Sequence, residues 1–259
     1  MKRTKRGMAL ILSAVMLASC VTTILIAASK DWSNPELGSL SQYYETGTNA
    51  DPGRISTVKE DSGGTSYGIY MFVEKTVKSF MDWLCQQPSG TTYRAIGDKL
   101  YNAYAYNTSG QYYPGFGSNF KNIWQEIGRN NRTEFAQAQK DFWESTQYTQ
   151  LIANVKSLFP GFDMSNYSIA LQNVFWSRSV HHGVGVTSGA VKSSDGKSGA
   201  TGVIYRAFNS LGGFKNQSEA ELITAIYAEC SRLDPSGKYK DDNMETLTAK
   251  KYGTYGRSM

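Results

Sequence analysis

The stretch Tyr44-Glu45-Thr46-Gly47, followed by Ile55-Ser56-Thr57 and then by Asp61-Ser62-Gly63-Gly64-Thr65-Ser66-Tyr67-Gly68, interrupts an otherwise helical pattern. Before it, Pro35 follows the good cap Asn34, and Leu37, Leu40 and Tyr44 share one helical face. A first helix is therefore predicted to end about where Glu45 begins. Within the interruption, Pro52, Gly53, Gly63 and Gly64 punctuate two β-like runs, residues 55–59 and 67–73, which predicts a small hairpin or lobe. The Asp-Ser-Gly-Gly of residues 61–64 has the chemistry of a turn.

Beyond this segment, apolar residues recur at spacings of three and four. They predict helices over residues 77–85, 93–104, 120–127, 135–142, 148–158, 169–180, 203–208 and 222–230. Ser218 and Glu221 form a capping box ahead of the last. Strands do not alternate with helices, which excludes a doubly wound sheet, and there is no internal repeat. The fold class is α+β, mainly α, with a small β-hairpin lobe. Phe120, Trp124, Phe142 and Phe175 fall on helical apolar stripes and belong to the core. Tyr43, Tyr44, Tyr112 and Tyr113 lie off such stripes and are candidates for a surface that stacks on sugars.

The first 29 residues form a distinct segment. Lys2, Arg3, Lys5 and Arg6 precede a stretch, residues 8–29, that has no charge. This is the pattern of an export signal or an N-terminal membrane anchor and places the remainder outside the cytoplasm. Ala27, Ala28 and Ser29 offer a small-residue cleavage site. Lipidation at Cys20 ranks lower, because residues 21–28 stay apolar where a polar tether is expected. The net charge of +5 is mostly leader, since 23 Lys and Arg stand against 22 Asp and Glu once those four basic residues are set aside. A nucleic-acid partner is therefore disfavoured. Residues 30–259 are enough for one domain with a sizeable core.

Cys85 and Cys230 are the cysteines beyond the leader, and an exported protein permits a disulfide between them. Each also sits in an apolar helical pattern, so two unpaired core thiols are an equal alternative. His181 and His182 are the only histidines. Being adjacent they cannot share one face, so no metal site and no cofactor is expected.

Breaking a glycosidic bond requires one carboxylic acid to protonate the leaving oxygen and one carboxylate across a cleft. A Glu that closes a helix and an Asp on a facing β turn meet that need. Taken alone, Glu45 is more often a solvated acid. A helix C-terminus, however, disfavours a carboxylate, so an acid there needs a reason, and a raised pKa through burial against Tyr43, Tyr44 or Tyr67 is one.

The segment quoted above resembles the chitosanase-like branch of the lysozyme superfamily, and most closely the muramidase effector domain carried on type VI secretion spike proteins. Residues 135–142 (Phe-Ala-Gln-Ala-Gln-Lys-Asp-Phe), residues 174–183 (Val-Phe-Trp-Ser-Arg-Ser-Val-His-His-Gly) and Ala225-Ile226-Tyr227 look like that family's later helices. The resemblance implies a lysozyme-like hydrolase of β-1,4 bonds in peptidoglycan or a related polysaccharide. It implies Glu45 as general acid, Asp61 as the base that activates water, and Ser66 as a residue holding that water, with inversion. It further implies Tyr44, Tyr67 and His182 at the substrate, His182-Gly183 either shaping the cleft floor or ending a helix. Met71 departs from the family, which commonly has Gln there.

Three alternatives differ in class or substrate: a chitosanase, a non-catalytic wall-binding module, and a serine esterase using Ser66. The last arises because residues 64–68 match Gly-x-Ser-x-Gly, although no apolar strand precedes the Ser and no helix pattern follows it. Asp51 and Glu60 are the rival carboxylates and are expected at the surface.

Overall fold

The computed structural model describes residues 36–47, 50–57, 65–104, 116–187 and 195–231. The leader, Asn34, Pro35, the turn expected at residues 61–64 with Asp61, and Glu60, Tyr112 and Tyr113 lie outside them. Helix α1 (Ser39–Thr46) starts after Gly38, and Glu45 lies within its last turn. Gly38 has φ +83°, a left-handed conformation that strains any side chain. A Cβ there would fall 2.7 Å from Tyr70 Oη and 2.9 Å from Trp176. The close approach lets Gly38 N donate to Asn173 Oδ1 at 2.8 Å.

Strands β1 (Ile55–Thr57) and β2 (Thr65–Tyr67) pair antiparallel, with Ile55 opposite Tyr67, Ser56 opposite Ser66 and Thr57 opposite Thr65. The hairpin is present, but residues 68–73 do not continue the second strand. Gly68 (φ +75°) and Met71 (φ +51°) fold the chain back. Tyr67 and Phe72 then exchange backbone hydrogen bonds of 2.9 and 2.8 Å.

The lobe is fastened to two helices, α4 (Gly117–Asn130) and α5 (Arg132–Trp143). Gln139 of α5, fully buried, accepts from Ile69 N at 2.8 Å and donates to Pro52 O at 3.0 Å. Trp124 Nε1 donates to the same carbonyl at 2.9 Å. One glutamine thus bonds to both edges of the lobe, and a hydrophobic residue of the same shape would leave the Ile69 N–H without its acceptor.

Helices α2 (Glu74–Cys85), α3 (Thr92–Tyr104), α4 and α5 bury the stripes their periodicity predicts. Val77, Phe80, Met81 and Leu84 of α2 meet Phe120, Trp124 and Ile127 of α4 and Phe135 and Phe142 of α5 in one aromatic-rich core. Full burial of each such side chain contributes about 1.5–3 kcal/mol.

After α5 the chain makes one π-helical turn, Glu144–Tyr148, before α6 (Thr149–Leu158). The hydroxyls of Ser145 and Thr149 bond back to the carbonyls of Asp141 and Glu144 at 2.7 and 2.8 Å, and the widened turn keeps both Trp143 and Tyr148 buried.

Helix α7 (Ile169–His182) is the central post: every residue from Asn173 to Ser179 is buried. Ser168 caps its start, and Gly183 with φ +65° ends it, as its position predicts. Helices α8 (Gly199–Ser210) and α9 (Glu219–Cys230) pack beside α7, the latter opened by the expected Ser218–Glu221 capping box. All eight later helices lie where the sequence places them; seven of them extend by one to four residues at one or both ends, and α6 begins one residue later than expected because Tyr148 belongs to the π-helical turn.

Cys85 and Cys230 are both free thiols, which realises the unpaired alternative. Phe120, Trp124, Phe142 and Phe175 are all in the core. Among the described residues no helix is long and apolar enough to cross a membrane.

Candidate functional site

Two contacts set the course of α1 along α7. At one end Gly38 bonds to Asn173; at the other Glu45 Oε1 lies 3.5 Å from His181 Nε2. Seven residues separate the first pair's member from the second on α1, and eight do so on α7. At about 1.5 Å of rise per residue the two helices run parallel over nearly equal lengths, and the anchored glycine delivers Glu45 to the C-terminal turn of α7.

Glu45 has 19% of its side chain accessible. Burial pushes its pKa up from 4.5 to about 7, against the opposing pull of the Arg178 and Arg54 charges. The carbonyl ends of α1 and α7 also disfavour an anion there. A carboxyl that is half protonated at neutral pH can both donate and accept a proton, as acid catalysis requires. Arg54 immediately precedes β1, and its carbonyl accepts from Gly68 N at 2.8 Å, so the β lobe begins beside Glu45.

His181 retains 28% side-chain accessibility, and burial, then Arg178 and His182, hold it well below the ordinary histidine pKa. At neutral pH it faces Glu45 as a neutral imidazole, and 3.5 Å is long for a hydrogen bond. His182 points to a different partner: its Nε2 lies 3.6 Å from Cys230 Sγ. Arg178, one turn before His182 on the same face, is 4% exposed. Its Nη1 lies 3.3 Å from Cys230 Sγ, its Nη2 donates to Ser177 Oγ at 3.1 Å, and its guanidinium sits 5.0 Å from the Tyr227 ring centre.

The other expected site residues divide. Tyr44, next to Glu45, is 42% exposed and meets Tyr43 edge-on, a surface position suited to stacking. Tyr67, expected at the substrate, is 0% exposed. Its ring packs on Phe116, Phe120 and Trp124, because the alternation of β2 turns Thr65 and Tyr67 inward. It belongs to the core. Ser66, on the opposite face, is partly accessible, paired with Ser56 in mid-strand and followed by a turn, not a helix. This is not the strand-to-helix elbow that a serine nucleophile needs. Asp51 is half exposed and pairs with Arg132 at 3.4 Å, a surface role. Asp61 lies outside the described residues.

His181, Arg178, Arg54 and Cys230 are the site residues that sequence reasoning passed over. One signal for them was present. A charged residue inside Val174-Phe175-Trp176-Ser177-Arg178, a run otherwise fit for burial, marks a position where a charge is held for a purpose. No group of three or more potential metal ligands occurs among the described residues.

Fold and site together define a mainly helical α+β domain with a two-stranded sheet, arranged around a carboxyl group whose proton affinity is raised to neutrality by burial. The chain belongs to the family of the type VI secretion system spike protein VgrG3-like C-terminal domain, whose family model matches residues 37–250. No curated protein matches the chain.

Proposed function

We propose that this domain is a peptidoglycan hydrolase that cuts β-1,4 bonds of cell-wall glycan strands, with Glu45 as the general acid. The observation that carries the reading is the Glu45 carboxyl, largely enclosed at the end of α1, with its pKa raised to about 7. A group that protonates a leaving oxygen near neutral pH needs this property. Membership in a family named for a secretion spike supports action as a spike-type effector on a cell envelope.

In this reading Asp61 is the base that activates water. Ser66, on the accessible face of β2, helps hold the water. Inversion follows, and the two carboxyl groups then stand roughly 6.5 to 9.5 Å apart. Tyr44 offers a stacking face for a sugar ring, and His182 shapes the floor near the end of α7. Residues 1–29 export the domain or tether it to the membrane with the catalytic part outside. The fold is then lysozyme-like in its division into a helical body and a β lobe.

The test is to incubate the purified chain with peptidoglycan and, in parallel, with chitosan, and to identify new reducing ends. New ends from peptidoglycan are expected, with turnover abolished by Glu45→Gln and by Asp61→Asn. Turnover that survives both substitutions refutes the mechanism. Turnover on chitosan alone reassigns the substrate, and loss on Ser66→Ala alone points to an esterase. Binding to peptidoglycan without new ends points to a wall-binding module.

A further inference from the structure

Arg178 poses a problem of charge. Its guanidinium is always protonated, is 4% exposed, and enters no ion pair among the described residues. A buried cation without a compensating partner is strongly unfavourable. The titratable groups near it come from four elements. Glu45 from α1, His181 from α7, and Tyr227 and Cys230 from α9 feel its charge directly, while His182 shares the Cys230 sulfur with it, Arg54 ahead of β1 acts on Glu45 and Tyr44 acts on Tyr227. Burial holds Tyr44 and Tyr227 above the ordinary tyrosine pKa, so both are neutral. The two histidines and Arg54 bring no negative charge. Among the described residues, Glu45 and Cys230 are left as the groups able to supply one.

If Arg178 paired with Glu45, the carboxyl would ionise and lose the proton that an acid must carry. The geometry gives the guanidinium to sulfur instead. Nη1 lies 3.3 Å from Sγ, and His182 Nε2 approaches the same sulfur at 3.6 Å, so two donor-bearing side chains of α7 converge on one atom of α9. Tyr227, one turn before Cys230, closes the other face of the guanidinium with its ring.

We infer that Cys230 is a thiolate counter-group to Arg178 and acts as a positioning residue for the site: by holding the guanidinium on its sulfur, it keeps the Glu45 carboxyl free to stay protonated. The direction of the thiol's own proton affinity agrees. Burial alone pushes the Cys230 pKa up, but the His182 contact and the Arg178 charge outweigh it and hold the thiol below its ordinary value. The inference rests on reading Glu45 as the acid, yet it concerns a proton equilibrium that exists without any substrate.

The experiment reads that equilibrium directly. Glutamate carboxyl carbons are labelled, Glu45 is assigned by its loss in Glu45→Gln, and its titration is followed by NMR in the full-length protein. The wild type is compared with Cys230→Ser, which removes the anion, and Cys230→Asp, which restores one. The Glu45 midpoint is expected to fall by about one pH unit, a tenfold loss of proton affinity, in Cys230→Ser and to return toward the wild-type value in Cys230→Asp. In parallel, the ultraviolet absorbance of the thiolate, taken as wild type minus Cys230→Ser, should titrate below about 8.5 and rise in Arg178→Met. A Glu45 midpoint unmoved in Cys230→Ser, or a Cys230 that titrates as an ordinary thiol, overturns the inference. Should Cys230→Ser fail to fold, the thiolate titration taken as wild type minus Cys230→Asp, and its shift in Arg178→Met, decides the matter. Absence of glycan turnover would refute the proposed function and leave these two titrations to judge the thiolate pair on their own.

Discussion

Replacing Glu45 by Gln should stabilise the protein, and by an amount that depends on pH. In the unfolded chain Glu45 titrates near 4.5, while in the fold burial raises it to about 7. Stability from this group is therefore complete below pH 4.5 and is lost as the pH rises through 7, because the fold resists the ionisation that the unfolded chain undergoes freely. At about 1.36 kcal/mol for each pH unit, the difference amounts to roughly 3 kcal/mol at pH 8 and to nearly nothing at pH 4. Glutamine keeps the shape of the neutral acid and cannot ionise. Glu45→Gln should thus match the wild type at pH 4 and exceed it by roughly 2–3 kcal/mol at pH 8, which is about 4–12 °C in Tm for a chain of this size. His181, whose pKa is held low in the fold, weakens both proteins as the pH falls through its ordinary value, and that effect largely cancels in the comparison. Urea unfolding of the two proteins at pH 4, 6 and 8, followed by circular dichroism, supplies the measurement. A stability difference that is the same at pH 4 and pH 8 would refute the argument that Glu45 is held protonated by burial.

Three further outcomes follow from the packing. Gly38→Ala forces a side chain into a left-handed backbone and against Tyr70 and Trp176, which should cost about 2–5 kcal/mol and disturb Glu45 through α1; thermal melting that differs by under about 1 kcal/mol would contradict this. Gln139→Leu leaves the buried Ile69 N–H without its acceptor and removes one of the two donors to Pro52 O; a loss of about 1–3 kcal/mol is expected, with hydrogen exchange rising first at residues 69 and 72. Ser218→Ala breaks the capping box far from Glu45, so stability should fall by about 1 kcal/mol while turnover per folded molecule stays constant, which paired denaturation and activity assays can check.

Much of the fold was legible in the chain because it rests on local periodicity. Val77, Phe80, Met81 and Leu84 announce α2 by spacing alone, and Ser218 with Glu221 announces the start of α9. The second strand was misplaced toward residues 67–73 because Tyr-Gly-Ile-Tyr-Met-Phe has β propensity. The positive φ of Gly68, where the backbone closes on Gln139, and that of Met71 turn that run into a tight reversal. Tyr67 was misjudged for the same reason: which face of a three-residue strand turns inward depends on what it packs against, and here that is Trp124 and Phe120.

For the site, the sequence singled out Glu45 by its place at a helix end, and Asp61 and Ser66 through the resemblance carried by the Gly-rich segment around them. Only the tertiary structure decided what surrounds Glu45. His181, Arg178 and Cys230 stand between 133 and 185 positions away along the chain, and whether a carboxyl is enclosed, which charge faces it and which sulfur takes that charge are properties of the space between helices. A proton affinity depends on desolvation and on charges within a few ångströms, and neither quantity exists until α1, α7 and α9 have packed together.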